Sequence, residues 1–472
     1  MHAHANGVNR PLQVAVVGAG PAGIHASANL SRLAPGARID LFERLPVPFG
    51  LVRYGVSPDH PRIEKISDAL HAVLADSGVR LLCNVEIGVD ITVGELRDSY
   101  DAVIVATGAL RDAPLELPGI DLPGSFGAAD FVSWYDGHPD VSTAWPLDAE
   151  SVAVIGAGNV ALDVTRMLVK HAHTLAETDV SDNVYEGFAA NPIRDVHLFA
   201  RRGPADVRFS PIELRELGNQ YDVDLVVNPA DLEPDPHLDR MTRQFTPVRH
   251  VVETMREWAR IPASRRTASR RVHLHFHQAP AALLGGDAVG SLRTEIMTPD
   301  GYGHVVGSGV HVEHEVQAVY RAIGYACTPV PGVPFDHSTR TVPHIEGAVV
   351  DGAGTPVPGL YTTGWIKRGP VGLIESTKSD ARRTVETLLE TAVPGSRARA
   401  GGQVIDRLLR DRGVRPIGWD GWLRVDSAER ERGDARGRER VRIVGRDELI
   451  AAATRAPARR YTAAAGRARP ES

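Results

Sequence analysis

Residues 12–30 read LQVAVVGAGPAGIHASANL. Leu12 to Val17 is a short apolar run of strand type, and Gly18 closes it. A helical pattern follows through Leu33, and Ala37 to Phe42 is a second strand-like run. Gly18-Ala-Gly20-Pro-Ala22-Gly23 lies between the first strand and the helix. Gly18 allows the tight turn, Gly20 lets the backbone approach a pyrophosphate, and Gly23 lets helix and strand pack closely. The helix N-terminus then offers N–H groups and a positive dipole end to phosphate. Glu43 stands at the end of the next strand, where a carboxylate can accept hydrogen bonds from a ribose diol. The stretch predicts a βαβ unit that holds a dinucleotide.

The same grammar returns further on. Ser151 to Ile155 is a strand, Gly156-Ala157-Gly158-Asn159-Val160-Ala161 is the turn, and Asp195 to Ala200 is the second strand. Alanine is a permitted third residue of this turn. No acid ends the second strand; Arg201 and Arg202 follow it instead. A carboxylate there would repel a 2′-phosphate, whereas guanidinium groups pair with it. This predicts NADPH in preference to NADH at the second site.

The chain of 472 residues is too long for one ordinary domain. Asp101 to Ala106 reads as a further strand, closed by Thr107-Gly108. Pro114, Pro118 and Pro123 punctuate a connection, and 171–192 reads as a partly helical insertion. Val316 to Ile323 reads as a returning strand, and Ser376 to Glu390 as a helix. The expected fold is α/β, with two Rossmann-like dinucleotide-binding domains, one inserted within the other. The boundaries are 1–110 for the first part of the outer domain, 111–323 for the inserted domain, 324–450 for the second part, and 451–472 for a disordered basic tail.

Composition excludes other chemistries. No apolar run reaches the roughly 18–20 residues of a membrane span, and Met1 to Pro11 has no apolar signal core, so a cytoplasmic location is expected. Cys83 and Cys327 are the two cysteines, too far apart in sequence for a CxxC pair and too few for a zinc site or an iron–sulfur cluster built on cysteines. His273, His275 and His277 alternate, so a strand would point all three one way. An exposed polar strand face accounts for them without a metal. From Gly401 onward 17 arginines face 11 acids, a surplus of six in a chain of net charge −6. No nucleic-acid-binding motif accompanies it.

The chain resembles the adrenodoxin-reductase-type ferredoxin–NADP reductases from about Val14 to Ala451. The segments that carry the likeness are PFGLVRYGVSPDHP at 48–61, GAGNVALD at 156–163, RRGP at 201–204, ELRE at 213–216 and GWIKRGP at 364–370. The resemblance implies FAD contacts at Ala22, Glu43, Leu51, Val85, Trp365, Gly372, Leu373 and Ile374. It implies NADP(H) contacts at Ala157, Gly158, Asn159, Val160, Arg201, Arg202, Glu213 and Gly372. It places His60 and Glu216 near both reacting rings as catalytic polar or proton-relay groups. His60 can equally fix the Pro58–Pro61 turn, Glu213 and Glu216 can form a solvated helix face, and Trp365 can be a core ring. The family usually has glycine where Glu375 stands, so local flavin tuning should differ here.

The implied activity takes hydride from NADPH onto FAD and passes single electrons to a ferredoxin-type iron–sulfur protein. Other acceptors, or a module that senses NADPH without turnover, remain alternatives. Without a redox dithiol the flavin itself must hand on the electrons. Ferredoxins being acidic, docking is expected on a basic patch at Arg215, Arg265, Arg266, Arg270 and Arg271. No nucleic-acid partner and no membrane insertion are expected.

Overall fold

All five residues of the strand Gln13–Val17 are buried, as suits a parallel strand covered on both faces. The computed structural model describes residues 10–60, 63–76, 78–372, 374–392 and 401–455. Gln13–Val17 pairs in parallel with Arg38–Glu43 on one side and Ala102–Val105 on the other. The seven-stranded sheet runs in the order His344–Ile345, Ala348–Val350, Pro356–Thr362, Ala102–Val105, Gln13–Val17, Arg38–Glu43 and Arg80–Cys83. Strands from before residue 106 and after residue 343 therefore share one sheet.

A second, six-stranded parallel sheet lies between them in sequence. Its order is Ser125–Gly127, Ala318–Arg321, Ser151–Ile155, Asp195–Phe199, Arg270–His275 and Val223–Val227. Each sheet has its own apolar core: Val14, Ile24, Leu41 and Ile104 in the first, Val154, Leu162, Val196 and Leu274 in the second. The insertion at 171–192 holds a short 3-10 turn, Ala172–Leu175, and the helix Asp182–Ala189.

Three expectations need correction. The sequence reading missed an antiparallel sheet of Gln278–Leu284, Ser291–Pro299 and Val305–Glu315. The strand at 270 ends at His275, and His277 turns away with φ +53°. His273 and His275 are half-buried rather than exposed: both stack with His197, and His314 of the antiparallel sheet lies tilted against His275. Residues 451–454, expected to belong to a disordered tail, are helical instead: the helix Arg446–Thr454 continues through Ala451 with Ala453 buried. Residues 456–472 lie outside the described residues.

The C-terminal arginine surplus has a structural use. Arg53 and Arg440 both pair with the fully buried Glu429. Arg442 donates to the carbonyls of Arg53 (2.6 Å) and Asp136 (2.8 Å) and pairs with Asp179 at 2.6 Å. Arg436 and Arg438 reach Asp182, and Arg446 reaches Asp140. A basic segment that packs on the first core thus ties down acids of the second.

Candidate active site

Both glycine turns lie beyond the carboxyl ends of parallel strands, where open α/β sheets bind ligands. Gly18 has φ +106° and Gly156 φ +149°. A Cβ on Gly18 would lie 2.5 Å from the Ala106 carbonyl oxygen, and one on Gly156 2.2 Å from that of Ala322. The third position separates the two turns. A Cβ on Gly23 would meet the Gly18 carbonyl oxygen at 1.9 Å, whereas the second turn accommodates Ala161. Each turn feeds a helix, Pro21–Leu33 or Asn159–Leu168, whose N-cap is Gly20 or Gly158 and carries no side-chain cap. First-turn N–H groups therefore remain to be satisfied by an anion. A Cβ on Gly158 would meet nothing within 4 Å, so the space over that turn is open. These residues fit two bound pyrophosphates.

Glu43 is buried, and its carboxylate accepts from the backbone N–H of Ala19 (2.9 Å) and of Leu45 (3.1 Å). Burial pushes its pKa up, against those hydrogen bonds. Glu43 thus locks the glycine turn to the end of the neighbouring strand. Val85 is buried beside it and donates its N–H to the Glu43 carbonyl. Phe49 donates its N–H to the Ala19 carbonyl, which folds Gly50 and Leu51 over Gly20. Gly364 presses on Ala22 from the other side, bringing half-buried Trp365 to the same turn. Trp365 lies 6.0 Å, centroid to centroid, from the Tyr325 ring. Gly372 has φ +88° just before the helix Ile374–Thr391. Leu373 lies outside the described residues, as do the side chains of Ile374 and Glu375.

In the second unit, half-buried Ala157 accepts from the Arg208 N–H at 2.7 Å. Asn159 accepts from the Ser210 N–H at 3.0 Å, with Val160 beside it in the first helical turn. Ser210 caps the helix Pro211–Gly218 by accepting from the Glu213 N–H. The nucleotide turn and the helix bearing Glu213 and Glu216 are therefore one connected piece. Arg201, exposed, and Arg202, half-buried, follow the strand Asp195–Phe199 at its carboxyl end.

The turn Ser57–His60 joins the two units. Asp59 pairs with Arg166 and, at 2.8 Å, with Lys170, both near the end of the second nucleotide helix. Burial raises its pKa, but the two cations overcome that and hold the carboxyl down at about 2. His60 Nε2 then sits 3.3 Å from Glu213 Oε1. The Glu213 hydrogen bond raises the His60 pKa against burial, and His60 in turn lowers that of Glu213. Burial, and then the nearby Glu213, push Glu216 up. One ligand-type atom from each of His60, Glu213 and Glu216 lies within 4.8 Å of the others. His60 and Glu216, expected as a pair, thus come together with Glu213 between the two units. Asp59 was not singled out from sequence, although it neighbours His60 in the quoted segment.

The expected basic patch does not hold together. Arg270 is buried and donates to the carbonyls of Lys170 and Asn191. Arg271 pairs with Asp195 at 2.7 Å. In parallel register Arg271 stands opposite Asp195, at the amino end of the sheet. Arg265 and Arg266 precede it, so this group faces away from the nucleotide turns. Arg215 is different: it is exposed on the helix that carries Glu213 and Glu216.

Two dinucleotide turns bridged by one polar turn define an FAD- and NADPH-dependent flavoprotein reductase. Residues 12–203 match the family model described as pyridine nucleotide-disulphide oxidoreductase. The "NADPH-ferredoxin reductase FprA" of Mycobacterium leprae is 38% identical over 453 residues, 93% of this chain and 97% of that one. The mitochondrial "NADPH:adrenodoxin oxidoreductase" of Arabidopsis thaliana is 34% identical over 466 residues, 94% and 96% of the two chains. The solved structure "Mycobacterium tuberculosis FprA in complex with NADPH" superposes with a TM-score of 0.86 at 35% identity, covering 94% of this chain and 100% of that one. The chain belongs to the adrenodoxin-reductase-type ferredoxin–NADP reductases. Among the described residues, no helix is long and apolar enough to cross a membrane.

Proposed function

We propose that the chain oxidises NADPH and delivers the electrons singly to a ferredoxin-type iron–sulfur protein. FAD, when bound, supplies the conversion between two-electron hydride uptake and one-electron release. The observation that carries the reading is the Ser57–His60 turn, which reaches from the FAD unit to both the NADP helix and Glu213. Asp59 fixes the distance between the units through Arg166 and Lys170, so the two dinucleotides are held for direct transfer. His60, oriented by Glu213, presents an imidazole at the junction, and Glu216 holds a carboxyl beside it. These two residues orient the ring-bearing ends and hold a proton at His60 Nε2. Arg201 and Arg202 recognise the 2′-phosphate of NADPH, and Glu43 the FAD ribose.

An acidic carrier would dock near the junction, where Arg215 is exposed, rather than at the far end of the sheet. Two buried, unpaired thiols suit a reducing compartment, and the cytoplasm is the proposed location. The test is NADPH-driven cytochrome c reduction through a panel of ferredoxins. A ferredoxin-dependent rate, falling as salt exceeds about 0.15 M, is expected. Flavin reduction by NADPH with no ferredoxin acting as carrier would favour another acceptor.

A further inference from the structure

We propose that His60, Glu213 and Glu216 form a site for a divalent transition-metal ion, Zn²⁺ being the ion of choice, and that its occupancy arrests the enzyme. The inference rests on the proposed function only for the arrest, not for the binding. Glu213 and Glu216 are three residues apart on the helix Pro211–Gly218, so both carboxylates share a face. The imidazole of His60 arrives opposite them from the Ser57–His60 turn. Borderline-soft ions such as Zn²⁺ take this mixture of imidazole nitrogen and carboxylate oxygen.

The distances fit such an ion. Zinc bonds of about 2.0–2.2 Å set tetrahedral ligands roughly 3.3–3.6 Å apart. His60 Nε2 and Glu213 Oε1 are 3.3 Å apart. The whole set lies within 4.8 Å, which side-chain rotation of Glu216 can close. Glu213 Oε2 and Glu216 Oε2 are buried atoms with no hydrogen-bond partner. Leaving such oxygens unsatisfied is costly, and an ion between them would relieve both. Two carboxylates and one neutral imidazole match the charge of a divalent cation. Three protein ligands leave a fourth position open, in the manner of a reactive rather than a closed structural zinc site.

Bound there, the ion replaces the His60–Glu213 hydrogen bond and occupies the junction between the units. The experiment titrates ZnCl₂ calorimetrically into the FAD-loaded full chain in a non-chelating buffer, beside His60→Gln and Glu216→Gln. Near-UV circular dichroism verifies that each variant folds. One equivalent should bind to the unsubstituted protein, and at least tenfold more weakly to each folded variant. Magnesium should not compete, because it demands octahedral oxygen ligation. In a second arm, Zn²⁺ should inhibit NADPH-driven ferricyanide reduction reversibly with EDTA, and the residual activity of Glu216→Gln should be at least tenfold less sensitive. If ferredoxin proves the wrong acceptor, both arms still read out. Equal Zn²⁺ affinity in the unsubstituted protein and in whichever variant folds overturns the site. Inhibition unchanged by the substitutions overturns it too.

Discussion

Asp380 should govern how firmly the chain holds FAD. It lies on the helix Ile374–Thr391 and is 1% exposed. Its carboxylate accepts from the Thr363 hydroxyl (3.0 Å), the Gly364 N–H (2.8 Å) and the Lys367 ammonium (2.9 Å). Gly364 has φ +78°, and a Cβ there would lie 2.6 Å from the Ala22 side chain. Asp380 therefore fixes the turn that brings Trp365 to the first glycine motif. In Asp380→Asn, one of the three donors must face an NH₂ group, and Lys367 stays buried with only the Thr384 hydroxyl at 3.2 Å. Charge-assisted hydrogen bonds are worth about 1.5–3 kcal/mol each, and breaking a buried pair costs about 3–5 kcal/mol. A loss of about 3 kcal/mol is expected, or roughly a hundredfold in an equilibrium constant. Urea unfolding followed by circular dichroism reads the stability, and flavin fluorescence after dialysis reads FAD release. Burial raises the Asp380 pKa, but its donors prevail and hold it below the ordinary carboxylate value. A depressed folded pKa gives stability that is present above the unfolded value and lost as pH falls. The variant should therefore show a flatter acid limb. Stability within about 0.5 kcal/mol of the unsubstituted protein, the scatter of ordinary surface substitutions, with FAD fully retained, would refute the reasoning.

Three further outcomes are expected. Arg201→Gln with Arg202→Gln should lower kcat/KM for NADPH about a hundredfold relative to NADH, taking about 1.5–3 kcal/mol per charge-assisted bond; equal efficiencies in the unsubstituted enzyme would refute the assignment. Gly23→Ala should abolish FAD binding, because its Cβ would sit 1.9 Å from the Gly18 oxygen, whereas Ala161→Gly should leave the second site able to bind NADPH; absorbance at the flavin band and NADPH titration distinguish them. Burial holds Asp112 up to about 6. Its contribution to stability is therefore present below the unfolded pKa and lost as pH rises through about 6. Asp112→Asn should gain thermal stability at pH 7.5 relative to pH 4.5, and an unchanged difference between the two midpoints would count against it.

The sequence alone determined the local units. A strand, a glycine turn and a helix are specified within about 30 consecutive residues, because periodicity and glycine spacing act at short range. Ser151–Ile155 was readable to the residue, and Arg201 and Arg202 followed from where a strand had to end. The resemblance supplied His60, Glu213 and Glu216, but not what holds them together. His60 meets Glu213 across 153 residues of chain, and no local pattern encodes such a pairing. Asp59 carried no signal of its own in the sequence, because its partners Arg166 and Lys170 lie more than a hundred residues away. Arg270 and Arg271 looked like a surface patch because composition does not tell which end of a parallel sheet a residue starts. His273 and His275 looked exposed because the covering sheet comes from a separate antiparallel element. The arginines beyond Gly401 read only as a charge surplus, yet the partners of Arg436, Arg442 and Arg446, namely Asp136, Asp140, Asp179 and Asp182, lie far back in the chain. Charge and hydrogen-bond partners are chosen by three-dimensional proximity, so only the tertiary structure decided which of these groups bind, which clasp and which are buried.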